Sequence, residues 1–588
     1  MPRFAAIDVG SNALRLRIVE ASAPSHRAKQ GAQRPPGSAG DGFPYAGTTR
    51  QPVLARSPSG GEPSTTGATA AQGEGMAIDA TSRTPEDMRS LRPLDSFSGI
   101  SGDGPGPWSD LATLRAPVRL GSEVFVSGRL TPASLGQACD ALREFKAEMD
   151  RTKVDAYRAI ATSAVREAKN GATLIERARR EAGIELEAIE GIEEARLIQL
   201  AVTRRMALGD KRALLVDVGG GSTELTLLDH GETAFTMSLP LGTVRMLDAY
   251  LKGAKTVDRA RERLLEEVID RALVEALPQL GGVDLVVATG GNVDTLFDLC
   301  PAKGGSRAID VSAARTLFKR MCALSSSERR DAWQLRPDRA DTIVPALAIF
   351  LRIANVTSQT TILAPGVGLA AGILEELVDR FYHVWDSAGE AERMLEACAR
   401  LGRRYHFDES HARHVLRFAT QLFDDLKSVH AFGERDRLLL RAAALLHDIG
   451  DYVHYGGHHK HSYYLIQHAD IMGVTPDERG IIANIARYHR KGPPDTTHPN
   501  FRELSKDARG KVRGLAAILR MADALDREHK QKIESARAAL DRSAGRVTLF
   551  LRGNENRELE EWTLAAKSSL WRDEYDLDVV IAKAEVTP

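Results

Sequence analysis

The stretch Leu214-Leu-Val-Asp-Val-Gly-Gly-Gly-Ser-Thr-Glu-Leu-Thr-Leu-Leu228 decides how the rest of the chain is read. Leu214 to Val218 is a short apolar run of the kind that makes a buried strand, and Leu225 to Leu228 reads as a second strand. Between them Gly219, Gly220 and Gly221 remove every Cβ from the turn, which permits positive φ and lets the backbone come close to a ligand. Successive N–H groups in such a turn suit an anion such as phosphate. A plain glycine hairpin is the other reading of these residues. Asp217 enters the turn and Glu224 leaves it. A carboxylate beside a phosphate repels it unless it holds a metal or orients a water, so Mg²⁺ is expected here.

Working outward, a near-repeat opens the chain. Phe4-Ala-Ala-Ile-Asp-Val-Gly-Ser-Asn-Ala-Leu-Arg-Leu-Arg-Ile18 has the same plan, an apolar strand, a turn at Asp8 to Asn12, then alternating Leu14, Leu16 and Ile18. Two such units predict two related halves facing a shared cleft. A third glycine turn, Val286-Val-Ala-Thr-Gly-Gly-Asn292, follows another apolar strand. The pattern resembles the actin and sugar-kinase superfamily. More specifically, the chain resembles the exopolyphosphatase and guanosine pentaphosphatase family. The residues that carry this are Asp8 to Asn12 with Arg15, Ala161-Thr-Ser-Ala-Val-Arg166, Gly191-Ile-Glu-Glu-Ala-Arg-Leu197, Asp217 to Glu224, and Val344-Pro-Ala-Leu-Ala348.

The resemblance implies an α/β fold, a two-lobed actin-like (ribonuclease H-like) core, and hydrolysis of a terminal phosphoanhydride bond. Such a reaction needs phosphate oxygens held, charge neutralised and a water deprotonated in line. Gly10, Ser11, Asn12, Gly219, Gly220, Gly221 and Ser222 would cradle the phosphates, with Arg15 and Arg166 supplying positive charge. Asp8, Asp217 and Glu224 would hold Mg²⁺ or its waters. Glu194 matches the family's general base, and Glu224 matches a second glutamate that places the water. On spacing alone, Glu193 and Glu194 read equally as acids at a solvated helix start; the resemblance selects Glu194. The implied substrate is inorganic polyphosphate, with guanosine pentaphosphate as the alternative and a homodimer as the expected assembly. A kinase of the same superfamily and a non-catalytic polyphosphate or (p)ppGpp sensor are the other classes.

At 588 residues the chain is too long for one core. Hydrophobic content of 43% and charged content of 27% are those of a soluble globular protein. A net charge of −1 gives no global reason to expect nucleic acid or a membrane surface. Cys139, Cys300, Cys322 and Cys398 have neither metal nor disulfide spacing and fit a reducing cytoplasm. No apolar run is long enough to span a bilayer.

Residues 1–200 are read as the first lobe, interrupted at 21–116 by a Gly-, Pro- and Ser-rich insertion expected to be disordered. The fold is expected to resume with a strand at Pro117 to Leu120, then a helix opened by Thr131 and Pro132. Residues 201–380 form the second lobe. Amphipathic helices fill 390–540, and 541–588 returns to alternation as a small α/β domain.

Thirteen of the 16 histidines lie between His406 and His529. The apolar helix Leu438 to Leu446 ends in His447 and Asp448. With His414, His461, His489 and Asp523 this resembles the HD-type metal phosphohydrolase domain, which implies a site for Mn, Fe or Zn. Lys460, Arg487, Arg490, Lys491 and Arg527 nearby would guide a polyanion, or are solvated surface.

Overall fold

The computed structural model describes residues 1–22, 108–303, 307–382, 387–553 and 556–583. The chain divides into two compact units that meet in sequence at residues 385 and 386.

The first unit holds two sheets. One is built from β1 (Arg3–Val9), β2 (Leu14–Ala21), β3 (Trp108–Ala116), β4 (Ala156–Ala161) and β5 (Leu186–Ala188), in the order β3-β2-β1-β4-β5. The other comprises β6 (Ala213–Val218), β7 (Thr223–Asp229), β8 (Glu232–Leu239), β9 (Leu285–Gly290), β10 (Ala308–Asp310) and β11 (Thr361–Leu363), in the order β10-β11-β9-β6-β7-β8. With β10 set aside, the second order repeats the first. Each has an antiparallel meander on one side and parallel strands on the other. The near-repeat in sequence is thus a repeat of topology, two α/β halves built on one plan.

Alternation explains the continuous apolar runs. Ala5, Ile7 and Val9 of β1 face a core with Leu142 and Phe145, while Phe4 and Ala6 face another with Leu197, Leu215 and Val287. A strand covered on both faces needs apolar residues at every position. Helices Gly191–Arg205 and Leu369–Phe381 fill that second core with Leu197, Ile373 and Leu374. The helix Pro132–Arg151 starts as expected, Thr131 accepting a hydrogen bond from the Ser134 N–H with Pro132 at the first position.

One boundary is corrected. No strand covers Pro117 to Leu120; the chain re-enters the sheet earlier, at Trp108–Ala116, and a helix runs over Leu120–Ser127. β3 is an edge strand with mostly half-exposed or exposed residues. An edge strand needs few large apolar side chains, so composition placed it in the insertion. Residues 23–107 of that stretch lie outside the described residues.

The second unit packs helices Glu409–Asp425, Glu434–Leu446, His458–Gln467, Pro476–Arg487 and Lys506–Ala524 with a sheet of β12 (Ile533–Asp541), β13 (Arg546–Gly553) and β14 (Asp578–Lys583). Leu439, Ile485 and Ile518 share one core with Ile533, Val547, Leu549 and Trp571. The closing strands begin at Ile533, before the expected boundary at 541, and complete the helices' core rather than forming one of their own. Among the described residues no helix is long and apolar enough to cross a membrane.

Candidate functional site

Strand register assembles the first site. Asp8 stands across the β1–β2 hairpin from Arg15, and Asp217 across the β6–β7 hairpin from Glu224. Glu194 lies in the first turn of the helix Gly191–Arg205. Asp8, Asp217, Glu194 and Glu224 are all buried. Glu194, Asp217 and Glu224 each bring a carboxylate oxygen within 4.8 Å of the others. Thr289 Oγ1 donates to Asp217 Oδ1 at 2.5 Å and Ser238 Oγ to Glu224 Oε1 at 2.9 Å. Oε2 of Glu194 and Oε2 of Glu224 have no hydrogen-bond partner. Glu193 turns the other way, into an ion network with Arg196 at 2.6 Å and Arg158 at 3.3 Å. Geometry therefore separates the two adjacent acids that spacing could not.

Burial without enough positive charge sets the electrostatics. It raises Asp8, which Arg15, 3.8 Å away, only partly offsets. Burial pushes Asp217 up to about 6, with the Thr289 hydroxyl opposing and Asp8 adding to it. Glu224 rises to about 7, from burial and then Asp217. Glu194 is held well above the usual carboxylate range by burial, then by Glu224 and Asp217. Arg166 lies 4.0 Å from Glu194 Oε2 and donates to the Ile189 carbonyl at 2.6 Å. Clustered carboxylates, orphaned oxygens and an all-oxygen donor set fit a hard divalent cation such as Mg²⁺.

A pH dependence follows. Asp217 and Glu224 bind protons more tightly folded than unfolded, so their contribution is present below about pH 4 and is lost as pH rises through about 6 and 7. The metal-free protein is expected to melt several degrees lower at pH 8 than at pH 6, with Mg²⁺ removing most of the difference. Calorimetry at both pH values, with and without chelator, checks this. Equal melting temperatures would contradict it.

The two glycine turns meet. A Cβ on Gly220 would lie 2.8 Å from Ser11 Cβ, and Ser11 Oγ is 3.0 Å from Ser163 Oγ. Gly10, Gly219, Gly220 and Gly221 all avoid positive φ, so close approach, and not backbone conformation, is what calls for glycine at 220. The N–H groups of Gly10 and Gly219 close their own turns onto Ala13 O at 3.1 Å and Ser222 O at 3.0 Å. They are spent there, which leaves the turn N–H groups of Ser11, Asn12, Gly220 and Gly221 to meet a ligand.

Sequence reasoning missed an arginine group. Arg339 is buried and its guanidinium converges with that of Arg15 over Gly291, where a Cβ would lie 2.7 Å from Arg339 Nη1 and 3.2 Å from Arg15 Nη2. Burial, then Arg15, pulls Arg339 down to about 9. Arg115 stands across β2–β3 from Arg15 and pairs with Asp338 at 2.5 Å. Guanidinium groups gathered this closely call for an anion between them. Arg115 sits in the strand hidden by the insertion's composition; Arg339 lies only five residues before the quoted Val344 motif.

The second unit gathers six of its polar residues, two of them not the expected ones. His411 and His458 take the places expected for His414 and His461. His414 Nε2 bonds Ile533 O at 2.9 Å and its ring packs on Phe418, while His461 is half-exposed with no ion pair into the cluster. On the helices that bear them, three residues separate each expected histidine from the one used, so both candidates fall on neighbouring turns.

The imidazoles come in two pairs. His411 Nε2 lies 3.3 Å from His447 Nε2, and His458 Nε2 lies 3.2 Å from His489 Nε2. In each ring the other nitrogen is taken: His411 by Asp526 at 2.9 Å, His447 by Ala444 O at 2.8 Å, His458 by Asp451 at 2.5 Å, His489 by Ala486 O at 2.6 Å. In the neutral rings those partners leave the lone pairs on the facing Nε2 atoms, a repulsion that a shared proton or a metal ion between them would relieve. Asp448 Oδ2 lies 3.4 Å from His447, and its Oδ1 3.1 Å from His458 and 3.3 Å from His489. Burial lowers His447 and His458, but Asp448 and its neighbours outweigh it and push them to about 8 and 9. Burial leaves His489 well below its usual value. One ring of the second pair thus takes a proton and the other does not. Nitrogen-rich donors with a shared carboxylate suit a transition metal.

The Ppx/GppA phosphatase family matches residues 100–381, and the third domain of that family matches residues 395–568. The chain belongs to the Ppx/GppA phosphatase family. The second unit's match is to the family's own domain III, not to an HD-type domain. Among similar Ppx/GppA relatives, the guanosine-5'-triphosphate,3'-diphosphate pyrophosphatase of Photobacterium profundum is 27% identical over 433 residues, 73% of this chain and 84% of that protein. The protein of that name from Aeromonas salmonicida is 26% identical over 421 residues, 70% of this chain and 80% of that one. The crystal structure of an exopolyphosphatase from Cytophaga hutchinsonii is 20% identical, with a TM-score of 0.47, over 64% of this chain and 98% of that one.

Proposed function

We propose that the first unit hydrolyses the terminal phosphoanhydride of inorganic polyphosphate and releases orthophosphate. The observation that carries this is Glu194: buried, held above the usual carboxylate range, and with Oε2 unpartnered beside Glu224 and Asp217. A carboxylate held above its usual range is a stronger base toward a water than an ordinary one. Arg15, Arg115 and Arg339 would grip successive phosphate oxygens, and the turn N–H groups of Ser11, Asn12, Gly220 and Gly221 would hold the terminal phosphate. Asp8, Asp217 and Glu224 would hold Mg²⁺, which when bound supplies charge neutralisation on the phosphates. Glu194 takes the water's proton, and Arg166 beside it stabilises the carboxylate before transfer. Glu224, anchored by Ser238, fixes where that water stands.

Guanosine pentaphosphate is the second reading, favoured by the names of the curated relatives. A panel of long polyphosphate, short polyphosphate, guanosine pentaphosphate and ATP, each with Mg²⁺, separates them. Orthophosphate from long polyphosphate without nucleotide is the expected result; release from guanosine pentaphosphate alone would transfer the activity to that substrate. Phosphate from none would leave a sensor.

Arg339→Ala is expected to raise KM for polyphosphate by about 10–100-fold, the loss of one or two charge-assisted hydrogen bonds, with a smaller change in kcat. Steady-state kinetics at two salt concentrations measures it. A KM within twofold of the parent would remove Arg339 from the substrate track.

In the second unit, His411, His447, Asp448, His458, His489 and Asp523 form the HD-type centre of our reading. They would hold Mn, Fe or Zn, the imidazoles and shared carboxylate supplying an electrophilic site.

A further inference from the structure

The turn Gly219 to Ser222 is held from behind by the segment that follows β8. The Thr243 N–H donates to Gly219 O at 3.0 Å, and the Val244 and Arg245 N–H groups donate to Gly220 O at 2.8 and 3.1 Å. These are the first N–H groups of the helix that begins at Thr243, which find no partner within a helix. The approach is close: a Cβ on Gly242 would lie 2.4 Å from Gly220 O. A side chain takes the third carbonyl of the turn, Arg245 Nε donating to Gly221 O at 2.7 Å. In a trans peptide the carbonyl and the N–H that follows it point in opposite directions. Three carbonyls drawn toward residues 242–245 therefore turn the N–H groups of Gly220, Gly221 and Ser222 away from them, as an anion seat requires.

Arg245 has a second anchor in the other half of the first unit. Its Nη2 meets both carboxylate oxygens of Glu167, at 2.6 and 2.7 Å, and its guanidinium lies 4.1 Å from the centre of the Phe125 ring. Glu167 and Phe125 stand on the helices Ser163–Glu167 and Leu120–Ser127, which share a core with β1 and β2. Phe125 also backs the turn, since a Cβ on Gly221 would lie 2.2 Å from its ring. We infer that Arg245 is a positioning residue for phosphate binding, holding the Gly221 carbonyl back so that the turn presents its N–H groups to the substrate. This rests on reading the turn as a phosphate seat. The charge of Arg245 is spent on Glu167, so it does not join Arg15, Arg115 and Arg339 as a grip on the chain. Through Glu167, the shape of the turn in one half depends on the other half standing against it.

Calorimetric titration of the full chain with tripolyphosphate whose bridging oxygens are replaced by imido groups, in Mg²⁺, reads binding without turnover. Arg245→Lys keeps the charge but cannot reach Gly221 O and both Glu167 oxygens together. It should weaken binding by about tenfold or more, the loss of a charge-assisted hydrogen bond. Glu167→Ala separates positioning from simple attraction. Were Arg245 only a positive charge near the seat, freeing it from Glu167 would tighten binding. As a positioning residue without its anchor, it should leave binding about two- to fivefold weaker, the worth of an ion pair at this exposure. Both variants should melt close to the parent; if Arg245→Lys melts well below it, Glu167→Ala, at an exposed position, decides alone. Parent-like binding by a well-folded Arg245→Lys, or unchanged or tighter binding by Glu167→Ala, would overturn the assignment of Arg245. A parent that binds no analogue would instead overturn the phosphate seat itself.

Discussion

Replacing Glu194 with glutamine is expected to slow phosphate release by about 10²–10⁴-fold, the span that positioned proton transfer contributes. Glutamine keeps the size of the side chain and its place in the first turn of the helix, but cannot take the water's proton. Substrate affinity should hold or improve slightly. Glu194 sits among Asp217 and Glu224 and offers no attraction to a polyanion. The discriminating measurement is therefore the split between kcat and KM, read with polyphosphate and Mg²⁺. A variant keeping a tenth or more of its turnover would remove Glu194 from proton transfer. The parent's activity should also fall on the acid side as Glu194 takes up a proton, together with Asp217 and Glu224.

The other large effect is expected in the second unit. His447→Ala combined with Asp448→Ala removes one member of an imidazole pair and the carboxylate that, among the described residues, is paired with rings of both. The parent, purified without chelator, should carry a transition metal through gel filtration, and the double variant should carry none. The hydrolysis proposed for the first unit draws on Glu194, Asp217 and Glu224, which belong to a separate cluster, so its expected dependence on Mg²⁺ should be unchanged. A metal-free parent that takes up no Mn²⁺ would make these histidines structural.

How much of this could be read in the chain depends on where the signal resides. The paired strand–turn–strand units were legible because a strand buried on both faces must be apolar throughout and its turn must shed Cβ atoms. β3 was not, since an edge strand with exposed residues looks like the polar chain before it. Glu194 and Glu193 are indistinguishable as letters; which one faces the carboxylates depends on how the helix Gly191–Arg205 sits against β7 and β8. His411 and His458 went unread for a related reason. On a helix, residues three apart lie one turn from each other on nearly the same face, so spacing allowed His414 and His461 equally well. Arg339 was hidden because its partners, Arg15 and Gly291, are remote in sequence.

The repeated strand order carries one consequence more. Asp8 and Asp217 occupy corresponding places in the two sheets, and across each hairpin the corresponding partners are Arg15 and Glu224. The scaffold is close to symmetric, while the charges at equivalent positions are opposite in sign. A symmetric cleft would accept a phosphate chain in either direction. Here the mismatch turns the cleft into a vector, cationic at one lip and anionic at the other. A polyanion taken up as proposed above would be oriented before any chemistry begins, its body drawn to the arginine lip and its end delivered to the carboxylate lip. The proposed consumption from a chain end, one residue at a time, would then be a property of broken symmetry.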